Sequence, residues 1–549
     1  MKINYRPEID GLRAIAVSAV IFYHAQLDIF DQKVFEGGFV GVDIFFVISG
    51  YLITSLILKE LITTGKFSFR YFYERRARRI LPALIVVILA SLPAAWLFLV
   101  PGNFIEFTKS ILYSLGFSSN FYFHYSGLQY GTEDGLLKPL LHTWSLSVEE
   151  QYYILFPIIL LFIFKFFRKY LLGILLFGFL ISLLMAEWGS RNYPAATFYF
   201  LHTRMWELIA GSLLAYFEIF KKKRTKNSFL NLIFPSVGII LIIHSIFFYN
   251  DKIFHPSLYT LSPVIGVSLI IWYSKKEELI TKILSSRIFV GIGLISYSMY
   301  LWHYPIFAFA RIKSDLPSQY DKFEWIVLTI FLSILSYFFI EKFFRNKKRN
   351  FNYTKLSILF LYFILIISLN LIIIKKGLPN RFDQLIQNLE KDRLKINNFE
   401  HYKFFKNTQL ERTIILVGDS ILSTLAPGLL EISKEKNYNF ISLYLPGCPF
   451  YVGLNKVNND LNEKNIVSKC NESIQNRRLE IIKNHKNSIV IIGGRFQLFV
   501  EDTTFNNKEG GIENGIEKKL NSIWIENIKD KIENDKKKIF NKTMNNTIK

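Results

Sequence analysis

Residues 5–25 read YRPEIDGLRAIAVSAVIFYHA. Positions 14–23 are apolar enough for a membrane helix, yet Arg13 stands at one end of them and His24 at the other. Ionisable groups in or beside hydrocarbon are costly, so they mark a pathway, an ion partner or a reaction site. In helical geometry residue 24 returns to nearly the face of residue 13, roughly 16 Å further along the axis. A guanidinium and an imidazole are thus expected in line on one face of the first membrane helix.

The rest of the chain suits that reading. Of 549 residues 51% are hydrophobic and 16% aromatic, with 53 Phe, which exceeds ordinary globular usage and indicates a polytopic membrane protein. No short leader with a small-residue cleavage site is recognised, so the first apolar segment is itself expected to span. A window of about 20 apolar residues gives about eleven spans, ten in the main bundle plus one. They fall at 11–27, 38–58, 80–100, 151–166, 170–187, 204–220, 230–249, 257–274, 288–310, 324–341 and 354–374, with 104–123 as a re-entrant or interfacial candidate.

The net charge of +22 could suggest nucleic acid, but its distribution argues otherwise. FRYFYERRARR, FKFFRKY, KKKRTK, YSKKEELITK and EKFFRNKKRN occupy one alternate set of connections, while DIFDQKVFEGG and the 101–150 loop are poor in Lys and Arg. Positive-inside bias then places the basic loops and the amino terminus in the cytoplasm, and an odd number of spans places the remainder outside. No nucleic-acid partner is expected; the partner is a lipid bilayer.

Beyond the last span the composition changes to Asn, Lys and Asp with strand signals. ERTIILVGDS, NFISLYLPGCPF and KNSIVIIGGRF read as strands, separated by the helical stretches LSTLAPGLLEISKEKN and SIQNRRLEIIKNH. Strand alternating with helix argues a small α/β layer with a parallel sheet. Cys448 and Cys470 both lie there and permit one disulfide if this part is extracytoplasmic.

Several polar groups in or beside the spans have chemical potential. Arg75 with Arg78, and Arg76 with Arg79, share helix faces and suit a bidentate phosphate grip, although topology alone accounts for basic residues here. In LHTWSLSVEEQYYILFP, interfacial anchoring accounts for Trp144, Tyr152 and Tyr153 but not for His142 or the adjacent Glu149 and Glu150. A partly buried carboxylate there can exchange a proton. Arg204 and Glu207 are most simply an intramembrane ion pair, and His303 beside Pro305 orients a neighbouring helix.

In this order, YRPEIDGLRAIAVSAVIFYHA, GGFVGVDIFFVISGYLIT, ERRARRILPA, LLHTWSLSVEEQYYILFP, RMWELIAGSLLA and SYSMYLWHYPI followed by FIEKFFR resemble the membrane-bound acyltransferase 3 family. The resemblance implies transfer of an acyl group, usually acetyl, from cytoplasmic acyl-CoA onto an extracytoplasmic carbohydrate such as lipopolysaccharide O-antigen, peptidoglycan or exopolysaccharide. Its Arg, ten-residue gap, His pattern falls on Arg13 and His24, and its Arg-x-x-Arg pattern on Arg75 to Arg78, with Arg76 to Arg79 as the overlapping register. Donor binding is therefore expected at Arg13, Arg75, Arg76, Arg78 and Arg79, and catalysis at His24, with Glu149 and His142 facing the acceptor. Acyl-CoA (acetyl-CoA) is the expected donor, and no metal is expected.

The tail resembles the SGNH hydrolase-like domain often fused to that family. Gly418-Asp419-Ser420 matches its nucleophile turn and Gly447 in LPGCP an oxyanion donor, but no Asp-x-x-His follows, and GGRF stands where an Asn block is usual. A truncated or inactive domain is expected.

The expected layout is a polytopic α-helical bundle in the inner (plasma) membrane followed by an extracytoplasmic α/β domain of flavodoxin-like, SGNH type. The acyltransferase region is 5–345, a further span 346–375, a connector 376–410 and the SGNH-like domain 411–549. The rival reading is a transporter or flippase of a glycolipid or acyl carrier that makes no covalent bonds.

Overall fold

The computed structural model describes residues 5–382 except 30–31, 128–134, 222–226, 251, 315–316 and 347–350. Beyond these it describes 384, 387, 404–405, 412–419, 422, 425–445, 448–452, 455–458, 470–494 and 522–525. Two compact units, Met1–Gly377 and Leu378–Lys549, divide the chain.

The first unit is helical. Its elements begin with α1 (Pro7–Ala25), a two-stranded ribbon of β1 (Asp28–Ile29) and β2 (Gln32–Lys33), α2 (Gly41–Thr64) and α3 (Phe69–Phe98). Next come α4 (Pro101–Leu115), α5 (Ser119–Gly127), α6 (Thr143–Phe166), α7 (Leu171–Asn192), α8 (Pro194–Tyr199) and α9 (Leu201–Lys221). The series ends with α10 (Ser228–Phe248), α11 (Leu261–Tyr273), α12 (Leu279–Leu284), α13 (Arg287–Lys313), α14 (Gln319–Ser336), α15 (Lys342–Arg345) and α16 (Phe351–Ile374). A π-helical turn, Tyr337–Glu341, joins α14 to α15.

Local chemistry explains the boundaries. α1 starts earlier than hydropathy suggests because Pro7 sits in its first turn, where a missing N–H costs nothing, and Glu8 and Asp10 face the positive end of the helix dipole. It stops at Gln26, whose φ of 51° is left-handed. Ser68 caps α3 by accepting from the Tyr71 N–H at 3.3 Å.

Among the described residues six helices are long and apolar enough to cross a membrane: Gly38–Thr64, Phe69–Phe98, Thr143–Phe166, Arg168–Asn192, Ser228–Phe248 and Gln319–Arg345. The other five expected spans fall on α1, α9, α11, α13 and α16, which are interrupted by ionisable side chains or have shorter described apolar stretches. The 104–123 candidate is two helices, α4 and most of α5.

The most extensive packing is α2 on α9 and α1 on α13. Glycine makes both close. A Cβ on Gly50 would stand 1.8 Å from the Leu208 carbonyl oxygen, and one on Gly211 would stand 2.0 Å from that of Val47. Small residues let helix backbones touch in lipid, where hydrophobic force between helices is absent. In the same way Gly293 lies against the Asp10 carbonyl, where a Cβ would be 2.0 Å from the oxygen. Asp10 thus meets Gly293 near one end while His24 meets His303 near the other, so α1 and α13 run parallel.

The second unit is an α/β layer. β3 (Phe404–Phe405), β4 (Thr413–Gly418), α17 (Ala426–Glu435), β5 (Asn439–Tyr444), β6 (Asn455–Asn458), α18 (Glu472–Lys483), β7 (Ser488–Gly493) and β8 (Ser522–Ile525) follow in order. The main sheet runs β3-β5-β4-β7. β4 pairs parallel with both β5 and β7, with Ile415 opposite Ile441 and Val490. Its three long strands lie where the sequence places them. The antiparallel edge β3 and the separate β6–β8 pair carry too few residues to leave a pattern.

Candidate functional site

Five helices of the first unit surround a cavity of about 80 Å³. Arg13 from α1, Ser49 from α2, Arg76 and Arg79 from α3, Glu149 and Glu150 from α6 and Tyr300 from α13 all line it. Arg13 is held by Asp10 one turn earlier, at 3.3 Å. Arg76 lies over the Phe72 and Tyr153 rings, 5.9 and 5.3 Å from their centroids. The Ser49 and Tyr153 hydroxyls both donate to Glu149. Glu150 is buried, and its Oε1 has no hydrogen-bond partner among the described residues. Three guanidiniums facing two carboxylates and several hydroxyls suit an anionic ligand that must also meet a proton-exchanging group.

Only one of the two arginine registers belongs to this cavity. The sequence reading puts the pattern first on Arg75 and Arg78; the structure turns Arg76 and Arg79 inward instead. Arg78 binds Glu74 at 3.0 Å and reaches the Phe344 and Asn346 carbonyls, at 3.4 and 3.5 Å. Arg75 lies over the Tyr71 ring, 4.2 Å from its centroid. Three-residue spacing finds a shared face but does not say which face looks inward.

His24 belongs to a second cluster. Its Nδ1 lies 3.1 Å from Nε2 of His303, and the His303 ring centroid is 5.4 Å from that of His142. His142 is 2% exposed, with neither ring nitrogen hydrogen-bonded among the described residues. Arg311 donates to the His24 carbonyl. Tyr300 joins the cluster to the cavity: its hydroxyl lies 2.5 Å from that of Ser145, donates to the His142 carbonyl at 2.8 Å, and its ring centroid is 5.5 Å from that of His303. The structure therefore separates His142, beside His303, from Glu149 two turns along α6, which faces the arginines. His303, read from sequence as orienting a helix, contacts His24 directly. An ionisable His303 at membrane depth, within SYSMYLWHYPI, is the signal the sequence carries for this.

Arg204 and Glu207 form the expected pair at 2.9 Å, and the pair is part of a larger network. Arg204 also meets Asp43 at 3.0 Å, and His255 meets the other oxygen of Asp43 at 3.1 Å. Both acids and the guanidinium are fully buried, joining α2 to α9.

In the second unit, Ser420 and Gly447 lie outside the described residues. Described residues close to them in the chain are tied together. Cys448 and Cys470 form a disulfide. Buried Arg478 donates to the carbonyls of Gly418 at 3.1 Å and Cys448 at 3.0 Å, and Gln475 donates to that of Pro449 at 3.0 Å. Gly418 at the end of β4, and Cys448 and Pro449 beyond β5, are thereby tied to α18 near the carboxyl ends of parallel strands, where α/β sheets place ligand sites. Among the described residues no group of three metal-ligating side chains is arranged to hold an ion.

A family model described as an acyltransferase domain matches residues 6–375, and one described as an SGNH domain fused to AT3 domains matches 390–548. The O-acetyltransferase OatA of Staphylococcus aureus (strain NCTC 8325 / PS 47) is 33% identical over 362 residues, covering 63% of this chain and 58% of that protein. A protein of Staphylococcus aureus (strain MSSA476), provisionally named as an O-acetyltransferase, is 35% identical over 360 residues with the same coverage. The chain thus spans 58% of the length of these relatives. No solved structure matches.

Proposed function

The chain belongs to the acyltransferase family whose model covers residues 6–375, and from that premise we propose that it moves an acetyl group from cytoplasmic acyl-CoA to a hydroxyl of a cell-surface carbohydrate. The observation that carries this reading is a cavity lined by Arg13, Arg76, Arg79, Glu149 and Glu150, joined through Tyr300 and His303 to His24. Three guanidiniums suit the phosphates of the donor, which they can grip in pairs of hydrogen bonds. Arg13 and His24 stand on one helix roughly 16 Å apart, so α1 bridges a donor-binding end and a reacting end.

Chemically, the acceptor hydroxyl oxygen attacks the thioester carbonyl as His24 takes the hydroxyl proton. The carbon–oxygen bond forms, the carbon–sulfur bond breaks, and the proton passes from the imidazole to the departing thiolate. Free thiol and the ester are the products, and His24 is neutral again. Glu150 is available to hold a proton near the acyl group, and the carbohydrate acceptor, with lipopolysaccharide O-antigen as one type, approaches on the His142 side.

The same proposal sets the protein in the inner (plasma) membrane with its amino terminus in the cytoplasm and the second unit outside. Parallel α1 and α13, the first and ninth expected spans, support only the alternation of spans counted between them. So do α2 and α9, the second and sixth, since Asp43 meets Arg204 and Tyr51 meets Glu218 further along both helices. Analysis of surface glycans from cells with and without the gene tests the function. Loss of one acetyl ester is expected, and an unchanged glycan profile would count against it.

A further inference from the structure

We propose that His303 is a positioning residue that sets the tautomer of His24, so that Nε2 of His24 carries the lone pair used in transfer. The inference rests on the role of His24 given above and adds the group that prepares it. His303 is fully buried in α13, and its Nδ1 lies 3.2 Å from the carbonyl oxygen of Met299, one turn earlier. A carbonyl oxygen only accepts, so Nδ1 of His303 carries a hydrogen. A neutral imidazole has one N–H and one lone pair, which leaves the lone pair of His303 on Nε2. That atom faces Nδ1 of His24 at 3.1 Å. Nδ1 of His24 must therefore be the donor, and its remaining lone pair lies on Nε2.

The surroundings of His24 suit that assignment. The side chain is partly exposed, and among the described residues nothing hydrogen-bonds to its Nε2, so the lone pair is free to meet a substrate proton. The end of α1 is fixed from two further elements: Arg311 donates to the His24 carbonyl, and Lys322 to that of Gln26 at 2.6 Å. Close contact of Gly293 with Asp10 sets the α1–α13 spacing that keeps the two rings in reach.

The arrangement has the logic of a hydrolytic triad, in which a group behind the histidine selects the tautomer and steadies the imidazolium. Here the supporting group is a second imidazole, itself oriented by a backbone carbonyl, so no charge is added to the apolar interior. When Nε2 of His24 accepts a proton, its Nδ1–H still donates to His303, now as a charge-assisted bond.

Two measurements on the full-length protein test the assignment. Solid-state NMR of ¹⁵N-histidine-labelled protein in bilayers reads the tautomer directly, with the His24 signals identified by their loss in His24→Ala. Protonated Nδ1 and bare Nε2 are expected; the reverse pattern overturns the proposal. Kinetics with radiolabelled acetyl-CoA and extracted surface polysaccharide then compare His303→Gln, whose amide oxygen can accept from Nδ1, with His303→Leu, which has no acceptor. The leucine variant should lose about 10- to 100-fold in kcat with the KM for acetyl-CoA unchanged, as outer-shell orienting groups do, and the glutamine variant should retain most of kcat. Equal losses in both variants, or wild-type kcat in His303→Leu, overturn the proposal. An active His24→Ala would instead remove the reading of His24 itself, whereas inactive His24→Ala beside fully active His303→Leu would remove only the role of His303.

Discussion

Arg204 on α9 and Asp43 on α2 meet at 3.0 Å with both side chains fully buried, and Glu207 and His255 complete the network around them. Removing one partner of such a pair leaves a charge without compensation. Arg204→Met should lower stability by about 3–5 kcal/mol, read as a lower Tm of the detergent-purified protein. The exposed pair of Lys109 and Glu106, at 2.8 Å, provides the comparison: Lys109→Ala should cost less than about 1 kcal/mol. Equal Tm values for both variants would show that the buried network is not a structural tie.

Arginine register is the second test. All four positions count alike for membrane orientation, and Lys preserves that charge while losing the bidentate grip. Arg76→Lys with Arg79→Lys should raise the KM for acetyl-CoA. Arg75→Lys with Arg78→Lys should leave it close to wild type, because Arg78 is engaged by Glu74 and Arg75 by Tyr71. The opposite ranking would restore the register first read from sequence.

Close helix contact gives a third. At Gly50 a Cβ would overlap a backbone oxygen of α9, which cannot rotate away. Gly50→Val should therefore part α2 from α9, disturb the Asp43–Arg204 contact and lower the amount of protein in the membrane. Gly291→Val is the control, since a Cβ there meets nothing within 4 Å. Normal levels of both variants would contradict the packing argument.

These cases show which features the sequence carries and which it does not. Spans such as α3 and α10 are readable because hydrocarbon demands a long apolar run, and β4, β5 and β7 because buried strands do too. The order of motifs also pointed to Arg13 and His24. What sequence could not supply was facing: which of two overlapping arginine pairs looks into the cavity depends on the neighbours of α3. Partnership was equally hidden, since His24 and His303 are far apart in the chain and meet only through the α1–α13 contact. Asp43 lies in an apolar run beside no other acid, and its ties to Arg204 and His255 exist only in three dimensions.

The disulfide supplies a fourth prediction, about location. Cys448 and Cys470 are the only cysteines in the sequence, so labelling is unambiguous. Cells denatured without reductant should give chains that maleimide-polyethylene glycol does not shift on a gel. Prior reduction should shift them by two additions. A shift without reductant would mean free thiols, as expected for a unit kept in the reducing cytoplasm.

The proposed reaction depends on His24. Acetyl transfer from radiolabelled acetyl-CoA to surface polysaccharide, measured with membranes holding equal amounts of wild-type protein and His24→Ala, tests it most directly. The variant is expected to insert at near wild-type levels and to transfer nothing measurable; a variant that keeps most of its activity would contradict the role proposed for His24.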